Sequence, residues 1–123
     1  MPKKSIHQKE VIIKRDPKIL IISLQRIGPS IQIKNKCYVD FPLLLDLKDF
    51  VDKDLNFNRE SRYNLYSVIN HYGVVNFGYY NSFIKIEKNK KWYCFDDSNV
   101  NLIGNELTNK NNDIFWLIYE IFF

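Results

Sequence analysis

The chain has 123 residues, of which 46% are hydrophobic, 26% charged and 15% aromatic; that is enough apolar material for one buried core and excludes a largely disordered chain. Its 18 basic and 14 acidic side chains give a net charge of +4, but six of the basic residues (Lys3, Lys4, Lys9, Lys14, Arg15 and Lys18) crowd the start, so the remainder is near neutral. Two cysteines, Cys37 and Cys94, exclude a disulfide framework and lack zinc-ligand spacing, so a reduced intracellular setting, cytoplasmic or nuclear, is expected with no metal and no cofactor.

Residues 1–16 read as a basic, flexible lead-in without the apolar run of a signal peptide, and 17–123 as one domain. The β-branched run Ile19 to Ile27, bounded by Pro17 and Gly28-Pro29, predicts a buried strand. Ile31, Ile33, Cys37, Val39 and Phe41 suggest a second, loosely alternating strand with Cys37 packed inside it. The apolar stretch around Leu43 to Leu47 then leads into a polar segment, Asp49 to Arg62, expected as loop or short helix. Tyr63 to Tyr72 predicts a central strand, with Leu65, Ser67 and Ile69 on one face and Tyr66 and Val68 on the other.

Tyr79 to Glu87, the lysine-rich turn that follows, and Trp92 to Asp96 form a hairpin signature. A short strand is expected over Val100 to Ile103 and a buried one over Ile114 to Phe123; Glu120 interrupts the latter, which is too short to span a bilayer. The sum is an α+β domain, mainly antiparallel β.

Antiparallel pairing in the hairpin folds Asp96 back toward Tyr79, where a carboxylate could orient an imidazole in a nucleophile–base–acid arrangement. The plainer alternative is an aromatic hairpin with a solvated acidic end. His7 lies in the basic arm, and His71 at a strand end is better read as structural or binding than catalytic. Lys85, Lys88, Lys90 and Lys91 beside Trp92 and Tyr93 could grip phosphates and stack bases, although a lysine-rich tip is more often a solvated turn that protects a sheet edge.

Read jointly, these stretches resemble the C-terminal half of the ubiquitin-specific protease catalytic domain, a family of cysteine deubiquitinases. Pro17 to Ile27 is similar to the family's "P-x-x-L-x-x-x-L-K-R-F", and Val39-Asp40-Phe41-Pro42 with Leu45-Asp46-Leu47 to "V-x-F-P-x-x-L-D-L". Tyr63 to Gly73 resembles "Y-x-L-x-A-V-x-x-H-x-G", and the hairpin resembles the histidine box, "G-H-Y-x-A-Y … W-Y-x-F-D-D-x-x-V". Ile114 to Glu120 is similar to the closing "A-Y-x-L-F-Y".

The resemblance implies the palm-like part of a papain-like fold, with 17–123 as a partial domain. It further implies that Asp96 is the retained orienting acid, that Tyr79 stands at the general-base position, and that His71, Gly73, Gly78, Tyr80, Trp92 and Asp97 lie along the groove for the ubiquitin tail. A phenol ionises near pH ~10 in model peptides and is a neutral donor at pH 7, so a tyrosine is a poor substitute for the base. Nothing in these 123 residues resembles the family's cysteine box.

The expected function is therefore that of a catalytically inactive deubiquitinase-like fragment. Its expected partners are ubiquitin or a ubiquitin-like tail and a second polypeptide covering exposed sheet, with no membrane. The alternatives are part of an active thiol-dependent deubiquitinase completed by a missing N-terminal half and, last, a basic nucleic-acid-binding module.

Overall fold

The computed structural model describes residues 11–27, 35–52, 61–74, 77–107 and 112–121. Seven strands form one sheet: β1 (Ile19–Ser23), β2 (Leu44–Asp46), β3 (Arg62–Tyr72), β4 (Tyr79–Ile86), β5 (Lys91–Asp96), β6 (Asn99–Gly104) and β7 (Ile114–Ile121). Their order is β1-β7-β3-β4-β5-β6, with β2 added beside β3. Every pairing between strands is antiparallel. Among the described residues helix is confined to the 3-10 turn Lys48–Phe50, so the α+β expectation reduces to an antiparallel sheet.

Strand alternation sends one set of side chains to each face. One face carries Tyr63, Leu65, Val68, Phe83, Trp92, Leu117 and Tyr119, which are buried beneath Phe41, Leu47, Val51 and Leu107 from the connecting segments. Two buried phenols tether those segments: the Tyr63 hydroxyl donates to the Pro17 carbonyl and the Tyr119 hydroxyl to that of Pro42, each at 2.7 Å. Burial pushes the Tyr119 phenol up to about 12, because phenolate is poorly solvated there. Ile13, in the expected lead-in, bridges to Val51, and Asp16 is buried.

Among the described residues, little covers the opposite face beyond the Phe115 ring against His71. Ile19, Ile21, Trp116, Tyr80, Val100 and Leu102 project from that face, and all six are exposed. Scattered exposed apolar residues are ordinary, but here six large ones share one sheet face, spread from edge strand β1 to edge strand β6.

Several expectations change, among them the first strand, which ends at Ser23 rather than Ile27 and leaves Ile19 and Ile21 exposed. β3 is central, between β7 and β4, but its register shifts between Leu65 and Ser67. Tyr66 is the extra residue of this bulge, so Leu65 shares the buried face with Val68 rather than lying with Ser67. The second strand is not formed over residues 35–40, and Cys37 is exposed rather than packed; Ile31 and Ile33 lie outside the described residues. Its backbone bonds go elsewhere: the Asn35 and Cys37 carbonyls accept from the Arg26 guanidinium, at 3.0 and 2.7 Å. Cys94, by contrast, is half-buried against the core.

Candidate functional site

The start of β4 lies beside the end of β3, with Tyr72 opposite Tyr79 and His71 opposite Tyr80. Because successive strand residues alternate, Tyr72, Tyr79 and Asn81 face the core side while His71 and Tyr80 face the bare side. The rings of Tyr72 and Tyr79 stack, with centroids 5.2 Å apart and planes at 27°. Asp96 ends β5; one step beyond the Ser82–Phe95 pair it stands opposite Asn81, on the face that Tyr79 also occupies. Tyr79 and Asp96 are thus diagonal neighbours at one end of the sheet, with Asn81 between them.

Asn81 joins the polar groups there. Its side-chain carbonyl accepts from the fully buried Asn70 at 3.0 Å, and its amide reaches the Cys94 sulfur at 3.7 Å. Burial raises the Tyr72 phenol; a hydrogen bond from Asn81 opposes this, while Asp113, Cys94 and Tyr79 add to it. Burial and then the Asp96 charge push the Cys94 thiol up, so it is held protonated and makes a poor nucleophile. Period-two alternation alone could have added Asn81 and Asn70 to the candidate residues; the sequence reading named neither.

His71 is 2% exposed, caged by Tyr80 at 4.9 Å and Phe115 at 5.5 Å between ring centroids. Its backbone N–H donates to the Asp113 carbonyl at 2.9 Å. A methyl group at Gly78 would lie 2.3 Å from both His71 Nε2 and the Tyr72 carbonyl, so the imidazole fits only because position 78 is glycine. Gly73, at φ +90°, uses backbone freedom instead, turning the chain out of β3.

Asp97 occupies the first position of the tight β5–β6 turn, at φ +50°, a conformation aspartate tolerates better than most residues. Trp92 is separated from this group. It is buried opposite Lys85, six residues along β4 from Tyr79 and about 20 Å away at the usual rise per residue. The lysine-rich turn is at that far end too, where Lys90 pairs with Glu87. Among the described residues no group of three or more His, Cys, Asp or Glu could hold a metal ion, and no helix is long and apolar enough to cross a membrane.

Comparison with known proteins identifies the family and the fold. The family model for ubiquitin carboxyl-terminal hydrolase matches residues 1–119. Ubiquitin carboxyl-terminal hydrolase 8 of Arabidopsis thaliana is 41% identical over 101 residues, which is 80% of this chain and 11% of that protein. Ubiquitin carboxyl-terminal hydrolase 2 of Homo sapiens is 34% identical over 116 residues, 92% of this chain and 18% of that protein.

Among solved structures, the Ubp8-Sgf11-Sgf73-Sus1 SAGA DUB module contains a chain that superposes with a TM-score of 0.75 at 28% identity, covering 91% of this chain and 26% of that one. The Ubp8/Sgf11/Sus1/Sgf73 module bound to ubiquitin aldehyde gives 0.71 at 28% identity, covering 87% and 25%. This chain therefore spans a small part of its relatives' length, and over that part it belongs to the ubiquitin carboxyl-terminal hydrolase family, as a fragment of a ubiquitin-specific protease-like domain.

Proposed function

We propose that this chain is a non-cleaving ubiquitin-tail and partner-binding portion of a ubiquitin-specific protease-like domain, corresponding to part of the palm. The observation that carries the reading is Tyr79. A phenol stacked on Tyr72 stands where the family resemblance calls for an imidazole base, while Asp96 remains on the same face as the acid. A neutral phenol donates a hydrogen bond and does not take a thiol proton at pH 7. Cys94, with its thiol held protonated, is no replacement nucleophile.

The groove for the tail is assigned to His71, Gly73, Gly78, Tyr80 and Asp97; Trp92, buried in the core about 20 Å along the hairpin, supports β4 from below rather than lining the groove. Residues 17–123 form the partial domain, and the lead-in attaches through Ile13. A similar solved chain bound to ubiquitin aldehyde and assembled with other subunits supports both ubiquitin and a second polypeptide as partners. The bare sheet face supports the second polypeptide, and two free thiols suit a location inside the cell, in cytoplasm or nucleus.

A fluorogenic ubiquitin-tail substrate tests inactivity: no cleavage is expected, and turnover that disappears in Cys37→Ala or Cys94→Ala protein would overturn the reading. Titration of isotopically labelled ubiquitin should move its C-terminal tail resonances; silence at millimolar concentration removes the binding role. Cleavage by wild-type chain on adding an N-terminal half from a relative would instead favour the complemented enzyme.

A further inference from the structure

We propose that Arg26 is a positioning residue for His71, acting through the first residues of β7. Arg26 is 4% exposed, and its hydrogen bonds go to main-chain carbonyls. Nε donates to Ile114 at 2.5 Å, and one terminal nitrogen donates to both Asn35 and Cys37. A guanidinium presents five N–H groups in a rigid planar fork, so it can fasten two chain segments at a fixed spacing as a lysine ammonium cannot.

The Ile114 carbonyl lies between the two contacts that hold His71. On one side the Asp113 carbonyl accepts the His71 backbone N–H; on the other, the Phe115 ring packs against the imidazole. Between Ile69–Trp116 and Asn70–Ile114 the β3–β7 register slips, leaving Phe115 as an extra residue in β7. Such a bulge re-aims a side chain and interrupts the ladder, so its geometry needs support from outside the sheet. Arg26 and the backbone N–H of Leu24, which donates to the Phe115 carbonyl at 2.9 Å, supply it. Burying a cation whose hydrogen-bond partners among the described residues are all carbonyls is costly, and the cost is understandable if the clamp sets a geometry that apolar packing would leave loose.

Any effect on ubiquitin-tail binding rests on the function proposed above; the effect on His71 does not. The test compares amide hydrogen exchange and His71 ring resonances in wild-type, Arg26→Gln and Arg26→Lys chains, with Leu45→Ala as a variant destabilised elsewhere. Both Arg26 variants should lower protection of the His71 amide by at least about tenfold and shift its ring signals, while hairpin amides such as Phe83 and Cys94 keep theirs.

Equal loss at His71 and in the hairpin, or the same His71 change in Leu45→Ala, would overturn the proposal. If Arg26→Gln does not fold, Arg26→Lys, which keeps the charge and stem, decides the matter by the same readout. Labelled ubiquitin is titrated in parallel. If wild type does not bind, the tail-binding function fails while the His71 readout still decides the clamp.

Discussion

The two faces of the sheet are built from the same strands, yet they answer different demands. On the covered face, Leu117 from β7, Val68 from β3 and Phe83 from β4 converge under Phe41, Leu47 and Leu107, and the hydroxyls of Tyr63 and Tyr119 are tied to the Pro17 and Pro42 carbonyls. On the other face, β1 presents Ile19 and Ile21 and β6 presents Val100 and Leu102, all exposed. The buried core of this chain therefore lies on one face, while the other leaves its apolar side chains exposed.

The sharpest way to break that contrast is a truncation on the covered face. Leu117→Ala, on the covered face, should cost about 2–5 kcal/mol in a urea melt, since it removes methylenes and leaves a cavity. A loss below about 1 kcal/mol would mean that the covered face is not the stabilising one. Next comes Gly78→Ala, where the added carbon meets His71 and the Tyr72 carbonyl. We expect a loss of about 1–3 kcal/mol from overpacking, together with shifted His71 resonances.

Tyr119 offers a pH probe of the covered face. Its phenol is raised to about 12, above the ordinary value near ~10, so the folded state favours the neutral form. The associated stability is fully present below pH 10 and is lost as pH rises toward 12. The urea midpoint should fall in that window, and Tyr119→Phe should flatten the fall while costing about 1 kcal/mol at neutral pH through the lost bond to Pro42. The smallest effect is predicted for Ile21→Thr on the bare face, within about 0.5 kcal/mol of wild type. Its signature should be a lower apparent mass by light scattering at high concentration, and an unchanged mass would argue that the bare face is not adhesive.

Much of the fold was legible because alternation and turn residues are local signals. The hairpin of β4 and β5, the central place of β3, and β6 and β7 all follow from short-range pattern. The bulges were not legible. Tyr66 looks like any other strand residue, and only the pairing with β7 reveals that Leu65 turns to the core beside Val68. Cys37 was misread for a related reason: nearby β-branched residues suggest a ladder, but Arg26, nine to eleven residues away in sequence, takes the carbonyls a ladder would use.

At the candidate site, the order Gly78-Tyr79 followed by Asp96 was visible in the chain, and family likeness gave it meaning. The sequence by itself determined the strand periodicity, the hairpin and the order of Gly78, Tyr79 and Asp96 along it, because these depend on residue type and on spacing along one or two strands. Only the tertiary structure decided that Tyr79 stacks on Tyr72, that Trp92 lies in the core about 20 Å from Tyr79, and that Gly78 is needed to admit His71. Those facts depend on register between strands and on how close two backbones come, and both are set when the whole sheet closes over its core.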